Sequence, residues 1–258
     1  MVLKYKGINI SYNIEGQGKP IVLLHGFLES KTMWQYTSQV LKTKHQVITI
    51  DLPGHGKTGC LGYIHTMETM ADATLAVLGH HNIKEASFIG HSMGGYVSLA
   101  VLENTPNLVS SLCLMNSTAS EDSLERKINR DRAIEAVKQN HKAFISMAIA
   151  NLFSPDNRYR LENKINNIKK EALNMPLQGI VAALEGMKIR KDRVDLFAKS
   201  SINKLIIAGQ KDPVIDYKLL LEQAKSTNSK FIEFPDGHMS HIENESEFLQ
   251  SIMHFIEN

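Results

Sequence analysis

The stretch Ala86-Ser87-Phe88-Ile89-Gly90-His91-Ser92-Met93-Gly94-Gly95 decides the fold. Ala86 to Gly90 reads as a short strand, apolar enough to be buried. From Ser92 to Glu103 small and apolar residues recur at helical spacing. A strand that turns sharply into a helix across Gly-x-Ser-x-Gly is the setting of a nucleophile elbow. The reason is steric. The turn forces the serine into a strained backbone conformation, and its neighbours must be small. Gly90 and Gly94 remove the Cβ atoms that would clash. Ser92 then projects beyond the sheet at a helix N-terminus, where developing negative charge is favoured.

On the N-terminal side, Leu3 to Tyr5 and Ile8 to Ile14 alternate about Lys6-Gly7 and predict an antiparallel hairpin. Ile21 to Leu24 is a continuously apolar strand that ends at His25-Gly26. A helix is predicted over Lys31 to Lys42. The strand Gln46 to Ile50 follows and runs into Asp51-Leu52-Pro53-Gly54-His55-Gly56, and His65 to Leu78 reads as a helix. On the C-terminal side, Leu112 to Met115 is a strand. Alternating strands and helices imply a mostly parallel sheet covered on both faces.

From about Thr118 to Lys191 the rhythm changes. Apolar residues there recur at helical spacing, and Pro155 and Pro176 should divide the region into several helices. The alternation then resumes with strand Lys204 to Ala208, helix Tyr217 to Ser226, strand Lys230 to Phe234 and helix Ser246 to Ile256. The expected organisation is a core of residues 1–117 and 192–258, with residues 118–191 inserted as a helical cap.

Composition agrees with one α/β domain. The 258 residues are 43% hydrophobic and 22% charged, enough for a sizeable core. A net charge of +2 argues against nucleic acid or a membrane as partner. Between Glu121 and Lys199 there are 16 Lys/Arg against 11 Asp/Glu. Solvated helix faces are the preferred reading of that excess, and a basic cap that favours anionic substrates is the second. Cys60 and Cys113 make no disulfide framework and no metal spacing. Cys113 reads as a buried small hydrophobe, and Cys60 as an exposed thiol in a Gly-rich loop. The N-terminus has no signal-peptide pattern and no apolar run approaches a membrane span, so a cytoplasmic location is expected.

A serine hydroxyl needs a base and an anion site. The turn His25-Gly26-Phe27-Leu28 directly after a buried strand is the candidate anion site. The backbone N–H of Phe27 and that of Met93 could together hold an oxyanion.

Together, His25-Gly26-Phe27, Asp51-Leu52-Pro53-Gly54-His55-Gly56, Gly90-His91-Ser92-Met93-Gly94-Gly95, Gly209-Gln210-Lys211-Asp212 and Gly237-His238 resemble the α/β-hydrolase superfamily. The resemblance implies a mostly parallel eight-stranded sheet flanked by helices, with a helical cap. It also implies the chain order nucleophile, acid, histidine. The acid would be Asp212, after the strand Ile206 to Gly209, with Asp216 as its rival. Asn116, which closes the fourth strand, leaves the alternative acid position of some relatives without a carboxylate. The base would be His238, with His241 as second choice. His91 is expected to order the turn and His55 to brace a neighbouring loop.

The activity so implied is a serine hydrolase, a carboxylesterase or thioesterase acting through an acyl-enzyme on a small, mainly apolar substrate. Leu28, Met93, Phe153, Leu184 and Met239 are candidate pocket walls. Met147, Met175 and Met187 fit helical core as well as substrate lining. No metal or organic cofactor is needed, and the assembly is expected to be a monomer or homodimer. Dehalogenases and epoxide hydrolases of this fold use aspartate where Ser92 stands. Cofactor-free haloperoxidases carry tryptophan where Leu28 stands. Carbon–carbon hydrolases and a menaquinone-pathway lyase share the triad, although relatives of that lyase carry arginine where Tyr96 stands. A non-enzymatic ligand sensor of the same fold is the remaining alternative.

Overall fold

The computed structural model describes residues 1–257. Its eight strands are β1 (Val2–Tyr5), β2 (Ile8–Glu15), β3 (Pro20–Leu24), β4 (Gln46–Ile50), β5 (Ala86–His91), β6 (Val109–Met115), β7 (Asn203–Gly209) and β8 (Lys230–Phe234). They form one sheet in the order β1-β2-β4-β3-β5-β6-β7-β8. Strands β3 to β8 are mutually parallel, and β1 and β2 are antiparallel. Lys6 (φ 44°) and Gly7 (φ 84°) are both left-handed. This is the two-residue turn that matches the twist of a hairpin, and it brings Tyr5 opposite Ile8.

The helices are α1 (Gln35–Leu41), α2 (Met67–His80), α3 (Met93–Asn104), α4 (Leu124–Gln139), α5 (His141–Ala150), α6 (Glu162–Ala172), α7 (Leu177–Lys188), α8 (Val194–Lys199), α9 (Tyr217–Ser226), α10 (Ser240–Glu243) and α11 (Glu245–Glu257). Strand side chains alternate between two cores, as the period of two requires. Val22, Leu24, Phe88, Leu112, Leu114, Ile206 and Ala208 face the larger core with α2, α3 and α9. Ile21, Leu23, Ile89, Cys113, Met115, Leu205 and Ile207 face the other, closed by Trp34, Leu41, Phe248, Ile252 and Phe255.

Several elements differ from expectation, and the short helices α8 and α10 were not predicted. The helix predicted over Lys31 to Lys42 opens as a 3₁₀ turn, Lys31–Trp34, and is α-helical only as α1. Its first residue is pinned, because Asp51 accepts from the Lys31 N–H at 2.8 Å and from its ammonium at 2.7 Å. Strand β6 begins at Val109 rather than Leu112. Ser110 and Ser111 interrupt the apolar run; the β5 pairing skips Ser110 as a bulge and resumes at Ser111, which pairs with Ser87 and with Asn203.

Among the described residues, no strand lies between β6 and β7. Pro155 opens a 3₁₀ turn and Pro176 sits at the N-cap of α7. Helix α7 rests on the loop after β4. A Cβ on Gly179 would lie 2.3 Å from the Gly54 carbonyl oxygen, and one on Gly186 would lie 1.7 Å from that of His65. The His65 N–H also donates to the Ala182 carbonyl at 2.9 Å. Among the described residues no helix is long and apolar enough to cross a membrane.

Candidate active site

Ser92 sits between β5 and α3 with φ 49° and ψ −114°, outside the regions that side chains favour. The turn is held from two directions. The Ser92 N–H donates to the Met115 carbonyl at 2.9 Å, and the Ser117 hydroxyl donates to the Ser92 carbonyl at 2.7 Å. The glycines are required by contact. A Cβ on Gly90 would come within 2.4 Å of the Gly94 carbonyl, and one on Gly94 within 2.3 Å of the Leu24 carbonyl.

His238 follows β8 and is buried. Its Nδ1 lies 2.7 Å from Asp212 Oδ2. The other Asp212 oxygen accepts from the N–H groups of Val214 (2.8 Å) and Ile215 (3.0 Å). Burial alone would raise this carboxyl, but the imidazole and the two N–H donors outweigh it and hold Asp212 below the usual carboxylate range. Asn116, left-handed at φ 45°, donates from its amide to Asp212 Oδ2 at 3.1 Å. Its amide oxygen accepts from Ser240 at 2.7 Å. The two rivals are placed elsewhere. Asp216 caps α9, accepting from the Lys218 N–H at 2.7 Å. His241 packs against Trp34, His91 and Phe248, where burial pushes it down to about 3.

Ser92 and His238 line one cavity of about 60 Å³ with Phe27, His91, Tyr96, Arg130, Leu152, Met187 and Val214. No hydrogen bond joins the serine hydroxyl to the ring in this arrangement; such bonds often tighten only around substrate. Among the described residues, no protein acceptor takes the N–H of Phe27 or that of Met93.

One buried ion pair links the loops that carry these groups. His91 Nδ1 lies 2.7 Å from Glu29 Oε2, and His91 Nε2 lies 3.0 Å from the His238 carbonyl. Glu29 Oε2 also accepts from the Gly26 N–H at 2.6 Å. Burial opposes charge on both partners. For His91 the nearby carboxylate outweighs it and raises the imidazole, and for Glu29 the histidine holds the carboxyl down to about 2. His25 and the Asp51 loop brace the same region, through a 2.9 Å bond from the Leu52 N–H to His25 Nε2. His55 packs on His25 and Phe27.

The candidate pocket walls separate. Leu184 lines a chamber of about 250 Å³ that shares Phe27, Arg130 and Val214 with the Ser92 cavity. Leu28 and Met239 line a different cavity, of about 470 Å³, against Glu171 and Ile168 of α6. Phe153 is fully buried in the larger core and lines none of these spaces. Met93 is likewise buried in that core, Met147 is exposed, and Met187 lines the Ser92 cavity. Cys113 is buried as expected, and Cys60 is half-buried rather than exposed.

Sequence reasoning missed Arg130, Tyr96, Leu152 and Val214 as lining residues, and Glu29 as the partner of His91. A signal existed for the first of these. Asp122, Arg126 and Arg130 repeat every four residues, which places them on one helix face.

Fold and site define a class. Residues 19–245 match the model of the alpha/beta hydrolase fold family, and the chain belongs to it. A dihydrolipoyllysine-residue acetyltransferase component of the acetoin cleaving system of Pseudomonas putida is 28% identical over 93% of this chain, which spans 64% of that protein's length. The 3-oxoadipate enol-lactonase 1 of Acinetobacter baylyi is 27% identical over 100% of this chain and 97% of its own. A thermophilic esterase from Thermogutta terrifontis, solved with malate bound, is 30% identical over 99% of this chain and 96% of that one, at a TM-score of 0.92.

Proposed function

We propose that the protein is a serine hydrolase that cleaves a small carboxylic ester, thioester or lactone through an acyl-enzyme. Ser92 is the nucleophile, His238 the general base and acid, and Asp212 the group that fixes the imidazole tautomer and stabilises the imidazolium. Attack moves the Ser92 proton to His238 and places negative charge on the carbonyl oxygen, which the Phe27 and Met93 N–H groups receive. Collapse expels the leaving group with a proton from His238. Water, deprotonated by His238, then attacks the acyl-serine and releases the acid.

The observation that carries this reading is the 2.7 Å His238–Asp212 contact behind a cavity that His238 lines together with Ser92, whose φ is 49°. Relatives named as an esterase and an enol-lactonase support acyl transfer to water. Residues 118–191 act in this reading as a cap, since Arg130, Leu152 and Met187 wall the same cavity. The test is turnover of short-chain 4-nitrophenyl esters. Ser92→Ala should lower kcat/KM by about 10⁴-fold or more, with KM little changed. Near-normal turnover by that variant would refute the assignment.

A further inference from the structure

Three arginines gather beside the Ser92 cavity, Arg126 and Arg130 from α4 and Arg190 from the segment after α7. Asp122 is fully buried, and three guanidinium groups converge on its carboxylate. Arg126 Nε is 2.9 Å from Oδ1, Arg130 Nε is 3.1 Å from Oδ2, and Arg190 Nη1 is 2.5 Å from Oδ1. One carboxylate therefore answers three positive charges. The other nearby acid, Asp212, is engaged by His238, Asn116 and two backbone N–H groups. Arg190 also contacts Ser120, Met187 and the face of Tyr96, 4.1 Å from the ring centroid, and its buried Nη2 is left without a partner. Arg126 gives a second bond to the Val214 carbonyl at 2.6 Å.

Of the three, Arg130 is the one that lines the Ser92 cavity. It donates through Nε alone, and among the described residues its two terminal nitrogens have no protein acceptor. The Tyr96 hydroxyl has none either, and Tyr96 lines the cavity with Arg130, Ser92 and His238. Arg130 also walls the adjoining chamber together with Arg126. Its side chain is only 16% exposed, so its charge faces a poorly solvated space. A poorly solvated guanidinium with donors free towards a cavity favours an anion there. A guanidinium presents paired N–H groups at the spacing of a carboxylate.

We propose that Arg130, with the Tyr96 hydroxyl, forms a carboxylate-binding subsite of the Ser92 cavity. The substrate is then a short ester or lactone whose acyl chain carries an anionic carboxylate. This rests on the serine-hydrolase reading and narrows it. The cavity of about 60 Å³ sets the scale, because a carboxylate on Arg130 and a carbonyl at Ser92 must lie within one short acyl chain. The remaining walls, Phe27, Leu152, Met187 and Val214, cover the apolar carbons between.

The test compares monomethyl succinate with its uncharged isostere methyl succinamate, reading the ratio of kcat/KM. The wild-type protein should favour the monoanion at least about 10-fold, and Arg130→Met should cut that ratio by about 10- to 100-fold, the value of a charge-assisted hydrogen bond or two. Arg130→Lys, which keeps the charge without the fork, should retain part of the preference. Calorimetric titration of succinate into the Ser92→Ala protein reads the subsite without catalysis. Binding there should weaken by a similar factor when Arg130→Met is added. Hydrolysis of both esters with a ratio that Arg130→Met leaves unaltered would overturn the subsite and leave the hydrolase reading standing. Arg130-dependent succinate binding without turnover of either ester would do the reverse. Succinate affinity that is the same with and without Arg130 would also overturn the subsite.

Discussion

At the scale of single residues, Glu29 ties together the loops that carry the candidate site. This carboxylate holds Gly26 of the turn after β3 and His91 of the elbow, and His91 in turn holds the backbone of His238. Both partners are almost completely buried, so removing one leaves the other charge without compensation. Glu29→Ala should cost about 3–5 kcal/mol in urea unfolding, a typical value for breaking a buried pair. It should also lower kcat/KM, because the Phe27 N–H and the His238 ring lose a shared anchor. A loss below about 1 kcal/mol would show that the pair does not bind these loops together. The elbow itself was legible residue by residue, since Gly90-His91-Ser92-Met93-Gly94 states its steric demand directly. Glu29 was not. It lies three residues beyond Gly26 in an unremarkable loop, and only the fold brings it to His91, which is 62 positions away.

At the scale of elements, helix α7 is fixed by two glycines seven residues apart, which face the same way after two turns. Gly186→Ala would press a methyl group into the His65 carbonyl and Gly179→Ala into that of Gly54. Neither neighbour is a flexible side chain, so backbone must move. Gly186→Ala should therefore lower stability by about 1–3 kcal/mol, as overpacking does, although alanine is the better helix former. An unchanged or raised melting temperature would mean that α7 does not bear on the loop after β4. The glycines were visible in the sequence as interruptions of a helical pattern. Their meaning needed the partner surface. The same holds for the pocket. Leu28, Phe153 and Met239 are apolar, and burial in a core and exposure to a cavity look alike in sequence.

At the scale of the whole molecule, the strands and their order of appearance were readable because each buried strand is a compact apolar run beside a turn signal. The insertion was readable only as helical. Its helices bury apolar residues such as Ile134, Val137, Ile145, Ile149 and Ile180 in the larger core, but which surface each meets is not stated by their spacing. One global property follows from the buried histidines. Burial pushes His55 and His241 down to about 3, from an ordinary 6.5, and lowers His25 as well. Folded, these rings stay neutral, whereas the unfolded chain takes up protons below about pH 6.5. The stability these rings supply is therefore full above that pH and falls as pH drops towards 3, by up to about 1.4 kcal/mol per pH unit for each ring. His91, raised by Glu29, works in the opposite sense and supplies stability that is lost as pH rises. Glu29 adds to the loss in the acid range, since its carboxyl is held at about 2 against 4.5 when unfolded. Urea titrations at pH 8, 6 and 5 check this through the midpoint. A midpoint that stays level down to pH 5 would contradict the placement of these rings.

The account turns on the reactivity of one hydroxyl. Fluorophosphonate labelling followed by peptide mapping measures it most directly. The wild-type protein should carry one adduct, on Ser92, formed within minutes. His238→Ala should slow its formation by about 10³-fold or more while the protein stays folded. A folded wild-type protein that takes no label, or takes it on another residue, would contradict the mechanism.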